Sequence, residues 1–275
     1  MTIRTGLCLN NRDDDHVSHC FTMEATPLYW IQCNFLLDKS QEIYGKGEHI
    51  MKELNILYED EHIIVCEKPA GVAVQTKKFS SPDLESMLKN YIAHEKGSSG
   101  HSPYLGIVHR LDQPVGGILV FGKNPHATGV LSTQIAEHVF IKEYQAVVCG
   151  HPKEESAVLT DYLVKDGRTN TSRVTHKDAF QAKYAELSYT VSKQLFHPEV
   201  AVVKIRLKTG RHHQIRVQMA NAGLPLWGDA KYNPDFQQRK DHFSIALCAN
   251  HLCFLHPVTH KAMEFSIPCD WSCIF

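Results

Sequence analysis

Residues 109–124 read HRLDQPVGGILVFGKN and join a charged cluster to an apolar strand. The cluster holds two side chains that can carry positive charge and one carboxylate, and a glycine-rich turn follows it. A loop that enters a buried strand holds Asp112 at the edge of a cleft, where loss of water raises the energy of the carboxylate unless an arginine pairs with it. The same residues also fit a structural Arg–Asp pair that caps the strand.

A second basic cluster, residues 210–216 (GRHHQIR), begins a stretch with helical periodicity. Ile215, Met219 and Ala222 share one predicted helix face, and Gly223 provides the C-terminal stop. Backbone N–H groups at a helix N-terminus, beside two arginines, are suited to binding an anion. A basic helix start with no ligand is the simpler alternative.

The remaining pattern predicts an α+β fold with a mixed, largely antiparallel sheet and flanking helices. Residues 54–58 and 63–66 read as two strands joined by an acidic turn, and residues 203–208 (VKIRLK) alternate apolar and cationic side chains. Short strands are expected around residues 245–248, 252–255 and 263–267. Strands and helices mix without a regular βαβ order, which argues against a doubly wound sheet.

Composition places the chain among globular proteins and excludes an integral membrane protein, because no apolar run approaches the roughly 18 residues that a membrane helix needs. The first residues meet three aspartates before any signal-like apolar segment. Nine cysteines without a CxxC pair favour free thiols in a reducing compartment, so we expect a cytoplasmic protein. Residues 165–216 concentrate positive charge, with 11 Lys or Arg against 4 Asp or Glu, although the whole chain has a net charge of −1.

Residues 1–50 show no sustained helical or strand period and are interpreted as an N-terminal appendage. Met51, where the character changes, offers an alternative start codon for the functional chain. We expect residues 51–275 to form one catalytic domain.

From about residue 54 to residue 268, the sequence resembles the RluA family of RNA pseudouridine synthases. The resemblance is carried by several segments in the same order as in the family: residues 56–74 (ILYEDEHIIVCEKPAGVAV), 109–124 as quoted above, 142–144 (KEY), 210–232 (GRHHQIRVQMANAGLPLWGDAKY) and 255–257 (LHP).

The resemblance implies the pseudouridine synthase catalytic fold with a central active-site cleft and a reaction that isomerises uridines in transfer or ribosomal RNA without a cofactor. It implies that Asp112 is the catalytic aspartate, Tyr144 the ring that packs on the target uracil and Arg216 the partner of Asp112. Arg216 is expected to keep Asp112 ionised by lowering its pKa. The residues expected to contact RNA are His109, Arg110, Arg211 and His213, and Arg110 is also expected to help displace the uridine. We expect a monomer that binds no metal and no membrane.

Two other functions remain as alternatives. The first is a non-catalytic RNA-binding protein with the same fold, because Val115-Gly116 stands where the family usually has Thr-Ser. The second is a zinc-dependent base hydrolase, suggested by a group of residues that are close in sequence: Cys248, His251, Cys253, His256 and His260. The nucleobase deaminases of that class need an H-x-E and a P-C-x-x-C motif, and the P-C-x-x-C motif does not occur.

Overall fold

The computed structural model describes residues 54–76, 82–95, 102–239, 243–271 and 274 of the chain. The predicted appendage, residues 1–50, lies outside the described residues. The domain boundary at residue 51 therefore stays a prediction.

One mixed sheet dominates the fold. Its strands are β1 Asn55–Glu59, β2 Ile63–Lys68, β3 Gly106–Ile107, β4 Gly116–Gly122, β5 Ile141–Cys149, β6 Ser156–Asp166, β7 Thr171–Thr175, β8 Lys183–Phe196, β9 Glu199–Leu207, β10 Leu247–Leu255 and β11 Ala262–Ser266. Among the described residues the order is β1-β2-β4-β10-β5-β9-β8-β6-β7, with β3 paired to β4 and β11 to β10. The pairing of β4 with β10 is parallel, and the other strand pairs are antiparallel. The predicted α+β class with a largely antiparallel sheet is confirmed.

Helices cover parts of this sheet. In the described part of the chain they are α1 Leu84–Glu95, α2 Pro125–Ala136, α3 Gln214–Asn221 and the single turn α4 Pro234–Gln237. The start of α2 follows directly from the sequence, because the Asn124 side chain accepts a hydrogen bond from the N–H of Ala127 and Pro125 occupies the first turn.

The alternating side chains of β2 separate the main core into two clusters. Ile64 and Cys66 pack in the cluster that also contains apolar residues of α1 and α3. Ile63 and Val65 pack in the cluster that contains Ala127 of α2. Because successive strand residues point to opposite faces, the helices lie on both faces of the sheet.

Two sequence-based predictions of strands need correction. The strands expected at residues 245–248 and 252–255 are parts of one strand, β10, whose pairing with β5 shifts register between Cys248 and His251. Strands β6, β7 and β8 were not predicted, because most of their residues are exposed or half-buried and their apolar alternation is weak. No helix within the described residues is long and apolar enough to cross a membrane.

Candidate active site

The loop between β3 and β4 carries Asp112 and is held through its backbone. The ammonium group of Lys68, which is fully buried, donates to the carbonyl of Gln113 at 3.0 Å and to the carbonyls of Pro69 and Val72. The N–H of Gly71 donates to the same Gln113 carbonyl at 2.9 Å. The loop is therefore fixed without the hydroxyl groups that the family usually has at positions 115 and 116.

Gly117 lets β10 approach the base of this loop. Its φ angle is +132°, and a Cβ atom built there would lie 2.4 Å from the carbonyl oxygen of Ala249. No side chain fits at that distance, so the glycine is required for the parallel pairing of β4 with β10.

Arg216, on α3, is shared by two carboxylates. Its Nε and Nη2 atoms donate to Asp229 at 2.8 and 2.6 Å, which is a bidentate pair between two buried side chains. Its Nη1 atom reaches Asp112 at 3.4 Å. The predicted pairing of Arg216 with Asp112 is thus present, but it is the longer of the two interactions.

Arg216 lowers the pKa of Asp112, as expected, but it does not bring that pKa below the ordinary value. Burial of Asp112 raises the pKa of its carboxyl above the ordinary value, and the nearby Asp229 raises it further, while Arg216 only partly offsets this. The physical reason is that loss of water around the carboxyl outweighs the attraction of the guanidinium. Asp112 is therefore harder to ionise than a free aspartate, although its side chain remains 26% exposed.

His213 completes the surroundings of Asp112. Its Nε2 atom lies 3.6 Å from Asp112 Oδ2, and its Nδ1 atom lies 2.7 Å from the Tyr232 hydroxyl. That hydroxyl also accepts the N–H of Ser172, so its own proton is directed to Nδ1. Burial and the charge of Arg216 lower the pKa of His213 to about 3, so the ring is neutral and presents an Nε2–H group towards Asp112.

Tyr144 lies on β5 and is buried in the same core cluster as Val115 of the loop. Burial and the proximity of Asp112 raise the pKa of its hydroxyl, so Tyr144 stays protonated. The structure therefore brings Asp112, Tyr144 and Arg216 into one region, as the sequence led us to expect.

The four residues expected to contact RNA have different environments. Arg110 and Arg211 are exposed, and Arg211 Nε donates to the carbonyl of Tyr184 at 2.8 Å. His213 is buried beside Asp112 rather than displayed on the surface. His109 does not fit an RNA contact, because its Nε2 accepts the N–H of Val120 and its ring packs edge-on against Phe140. Burial lowers the pKa of His109 to about 3, so it is not a cation.

Sequence reasoning missed two residues of the site. Neither Lys68 nor Asp229 received a role in the sequence analysis. Both residues belong to segments that carry the family resemblance. A charged residue within an apolar segment was the signal that could have marked each of them as part of the site. The separation in sequence between Asp229 and Arg216 gave no indication that they meet.

The five cysteines and histidines that suggested zinc do not form one cluster. His256 Nε2 pairs with Asp60 at 2.7 Å, and Cys248 hydrogen-bonds to Cys269. Only His251 and Cys253 lie together, in a group with Glu264.

The sequence model of the RNA pseudouridylate synthase family matches residues 62–221. A ribosomal large subunit pseudouridine synthase D from Zymomonas mobilis is 32% identical over 234 residues, covering 81% of this chain and 72% of the relative. A tRNA pseudouridine synthase C from Vibrio parahaemolyticus is 30% identical over 242 residues, covering 81% of this chain and 94% of the relative.

Solved structures agree at the level of the fold. The human RNA pseudouridylate synthase domain containing 1 superposes with a TM-score of 0.65 at 22% identity, covering 79% of this chain and 84% of that one. The human domain containing 4 gives a TM-score of 0.66 at 18% identity, covering 89% and 95%.

The chain belongs to the RNA pseudouridylate synthase family, and the resemblance to its RluA branch is confirmed. It is an isomerase, an RNA pseudouridine synthase.

Proposed function

We propose that this enzyme isomerises specific uridines in transfer or ribosomal RNA and that Asp112 is the carboxylate that acts on the ribose. The names of the two relatives support these RNA classes. The observation that carries the role of Asp112 is its position: a partly exposed carboxylate that faces both Arg216 and the neutral ring of His213.

The chemistry needs no redox partner. The bond between the ribose and N1 of uracil breaks, the base turns, and C5 bonds to the ribose, while C5 loses its hydrogen and N1 gains a proton. An ionised carboxylate can attack or stabilise the electron-poor ribose carbon, as carboxylates do in glycoside hydrolysis, or it can take a sugar proton. We propose that no cofactor and no metal takes part in these steps.

The neighbours of Asp112 fit this role. The Nη1 group of Arg216 and the Nε2–H group of His213 both favour the ionised carboxylate. They do not neutralise it by a close bidentate contact, since the fork of Arg216 is occupied by Asp229. A carboxylate in this state remains free to react.

Tyr144 offers a flat apolar ring for the uracil, and exposed Arg110 is close in sequence to Asp112, where it can occupy the space left by the extracted nucleotide. Extraction of a stacked base costs a few kcal/mol. We propose that the exposed Arg110 and Arg211 contribute phosphate contacts that offset this cost.

Three further expectations remain proposals. We place the enzyme in the cytoplasm, supported by the free thiols of the described cysteines. We expect a monomer, which size-exclusion chromatography with light scattering will test. We also propose that residues 1–50 are dispensable for folding, so that a chain starting at Met51 should keep its melting temperature.

The test of Asp112 is its exchange for asparagine, which removes the charge with little change in volume. Asp112→Asn should release no tritium from RNA labelled at C5 of uridine, while its affinity for RNA stays near that of the wild type. The matched control is Asp178→Asn, the same change at an exposed position, which should release tritium at the normal rate. Excess chelator should leave the wild-type rate unchanged. Wild-type activity in Asp112→Asn would overturn the assignment.

A further inference from the structure

His251, Cys253 and Glu264 converge on one face of neighbouring strands, away from the residues assigned to the reaction. His251 and Cys253 are two positions apart on β10, so their side chains point to the same side. Glu264 of β11 lies directly opposite Cys253, and Glu143 of β5 lies directly opposite His251. The register of the paired strands brings the four side chains together.

The distances match those of ligands around a zinc ion. The Sγ atom of Cys253 lies 3.5 Å from His251 Nε2, which lies 3.0 Å from Glu264 Oε1. Ligands of a tetrahedral zinc ion are about 3.4–3.6 Å apart, given Zn–S and Zn–N or Zn–O bonds of about 2.3 and about 2.0–2.2 Å. Glu264 has a side chain that is 71% exposed, so it can move by the few tenths of an ångström required.

The other nitrogen of His251 gives a second, independent observation. Its Nδ1 atom is buried and has no hydrogen-bond partner, which is unique among the described side chains. Glu143 Oε2 lies 3.6 Å away, just beyond hydrogen-bond distance. A histidine that binds a metal through Nε2 usually donates its Nδ1–H to a carboxylate, so a small movement of Glu143 would satisfy this atom.

The charge of the cluster also favours a cation. Glu264 Oε1 lies 3.0 Å from one ring nitrogen of His251, and Glu143 Oε2 lies 3.6 Å from the other. Two carboxylates and a thiol thus crowd around one imidazole. A divalent cation would relieve the repulsion and displace the thiol proton to solvent.

We propose that His251 Nε2, Cys253 Sγ and a carboxylate oxygen of Glu264 bind one zinc ion, with Glu143 accepting the Nδ1–H of His251. The mixed sulfur, nitrogen and oxygen donors are those that zinc takes in proteins. The exposed side of the site leaves the fourth position to water. The ion would join β11 to β10 and stabilise this edge of the sheet. This proposal departs from the sequence-based expectation of no metal and is independent of the role of Asp112.

The test uses the full chain, freed of metal by a chelator and titrated with Zn²⁺ or Co²⁺ alone. In calorimetry the wild type should bind one equivalent of Zn²⁺ more than Cys253→Ser does, or should bind Zn²⁺ with an affinity at least tenfold higher than that of Cys253→Ser. Co²⁺ should produce a thiolate charge-transfer absorption that Cys253→Ser loses. Zn²⁺ should raise the melting temperature of the wild type more than that of Cys253→Ser.

Glu264→Gln is the second site variant, because an exposed position tolerates the exchange and it should also weaken binding at least tenfold. Cys149→Ser is the matched control, since it removes another partly buried thiol and should bind Zn²⁺ as the wild type does. Identical Zn²⁺ isotherms for the wild type and Glu264→Gln, together with a cobalt spectrum that Cys253→Ser retains, would overturn the proposal. That outcome would leave His251 as a histidine held between two carboxylates.

Discussion

The two carboxylates that meet Arg216 lie in contrasting environments. Asp229 is 1% exposed and accepts two short hydrogen bonds from the guanidinium, and its Oδ1 also accepts the backbone N–H of Lys231. Asp112 is partly exposed, and its contact with the same guanidinium is 3.4 Å long. Asp229 therefore stabilises the structure of the site, whereas Asp112 keeps oxygen atoms unpaired, as its proposed role requires.

This difference shows how a single arginine can serve both stability and chemistry. The pair with Asp229 fixes the guanidinium, and the remaining Nη1 group lies 3.4 Å from Asp112. A closer pair with Asp112 would ionise it more easily but would also occupy the oxygen atoms that meet the ribose in the proposed reaction.

The largest effect is expected from Arg216→Met, because it removes the shared partner of both carboxylates. Breaking a buried ion pair and leaving one charge unpaired typically costs about 3–5 kcal/mol. We therefore expect both a loss of turnover and a clear fall in the free energy of unfolding, measured by urea denaturation. Arg206→Met, at an exposed position of β9, is the control and should unfold like the wild type. Unchanged stability in Arg216→Met would mean that the fork with Asp229 does not form.

Next in size is Lys68→Met, which tests the loop that carries Asp112. Three buried or partly buried carbonyl groups would lose the donor that Lys68 supplies. Hydrogen bonds to charged groups are worth about 1.5–3 kcal/mol, so a loss of that order is expected in denaturant unfolding, together with slower turnover. Lys204→Met is the exposed control. A variant that is stable and fully active would show that Lys68 does not position the loop.

These two residues also mark the limit of what the sequence could predict. Asp112 was assigned through the family resemblance, because the residues around it fit a structural Arg–Asp pair equally well. Lys68 lay beside a proline and a glycine that already explained a turn, and burial of its ammonium group depends on the loop that folds over it. Strand β10 was divided in two because the register shift after Cys248 interrupts its alternation. Asp229 could not be paired with Arg216, since their contact depends on how the segment after α3 folds back.

A smaller effect, of opposite sign, is expected for the stability of Asp112→Asn. Because the pKa of Asp112 is raised in the folded protein, its ionised form costs stability at any pH above the ordinary value of 3.8. The variant should therefore melt at the same temperature as the wild type, or slightly higher, at pH 7. Below pH 3.8 the difference should vanish, because the carboxyl is then neutral in both states. A clear drop in melting temperature at pH 7 would mean that the Asp112 carboxylate stabilises the fold, as Asp229 does.

The smallest effect on the site itself is expected from Arg110→Met. This arginine is exposed, so its removal should leave stability and the ionisation of Asp112 unchanged. Base extraction should slow on a structured RNA, and the defect should shrink on a short RNA whose uridine is already unstacked. Single-turnover rates on both RNAs give the comparison. Equal defects on the structured and the unstacked RNA would mean that Arg110 contacts phosphate and does not assist base extraction.

The sharing of Arg216 is tested most directly by the pH dependence of single-turnover rates in the wild type and in Asp229→Asn, below the melting temperature of each. The proposed role of Asp112 requires its ionised form, so the wild-type rate should fall as the pH drops through a pKa above that of a free aspartate. His213, with its pKa near 3, should add no second transition above it. In Asp229→Asn the guanidinium has Asp112 as its remaining carboxylate, so the acid limb should move to lower pH. An unchanged midpoint, or a shift to higher pH, would contradict the account.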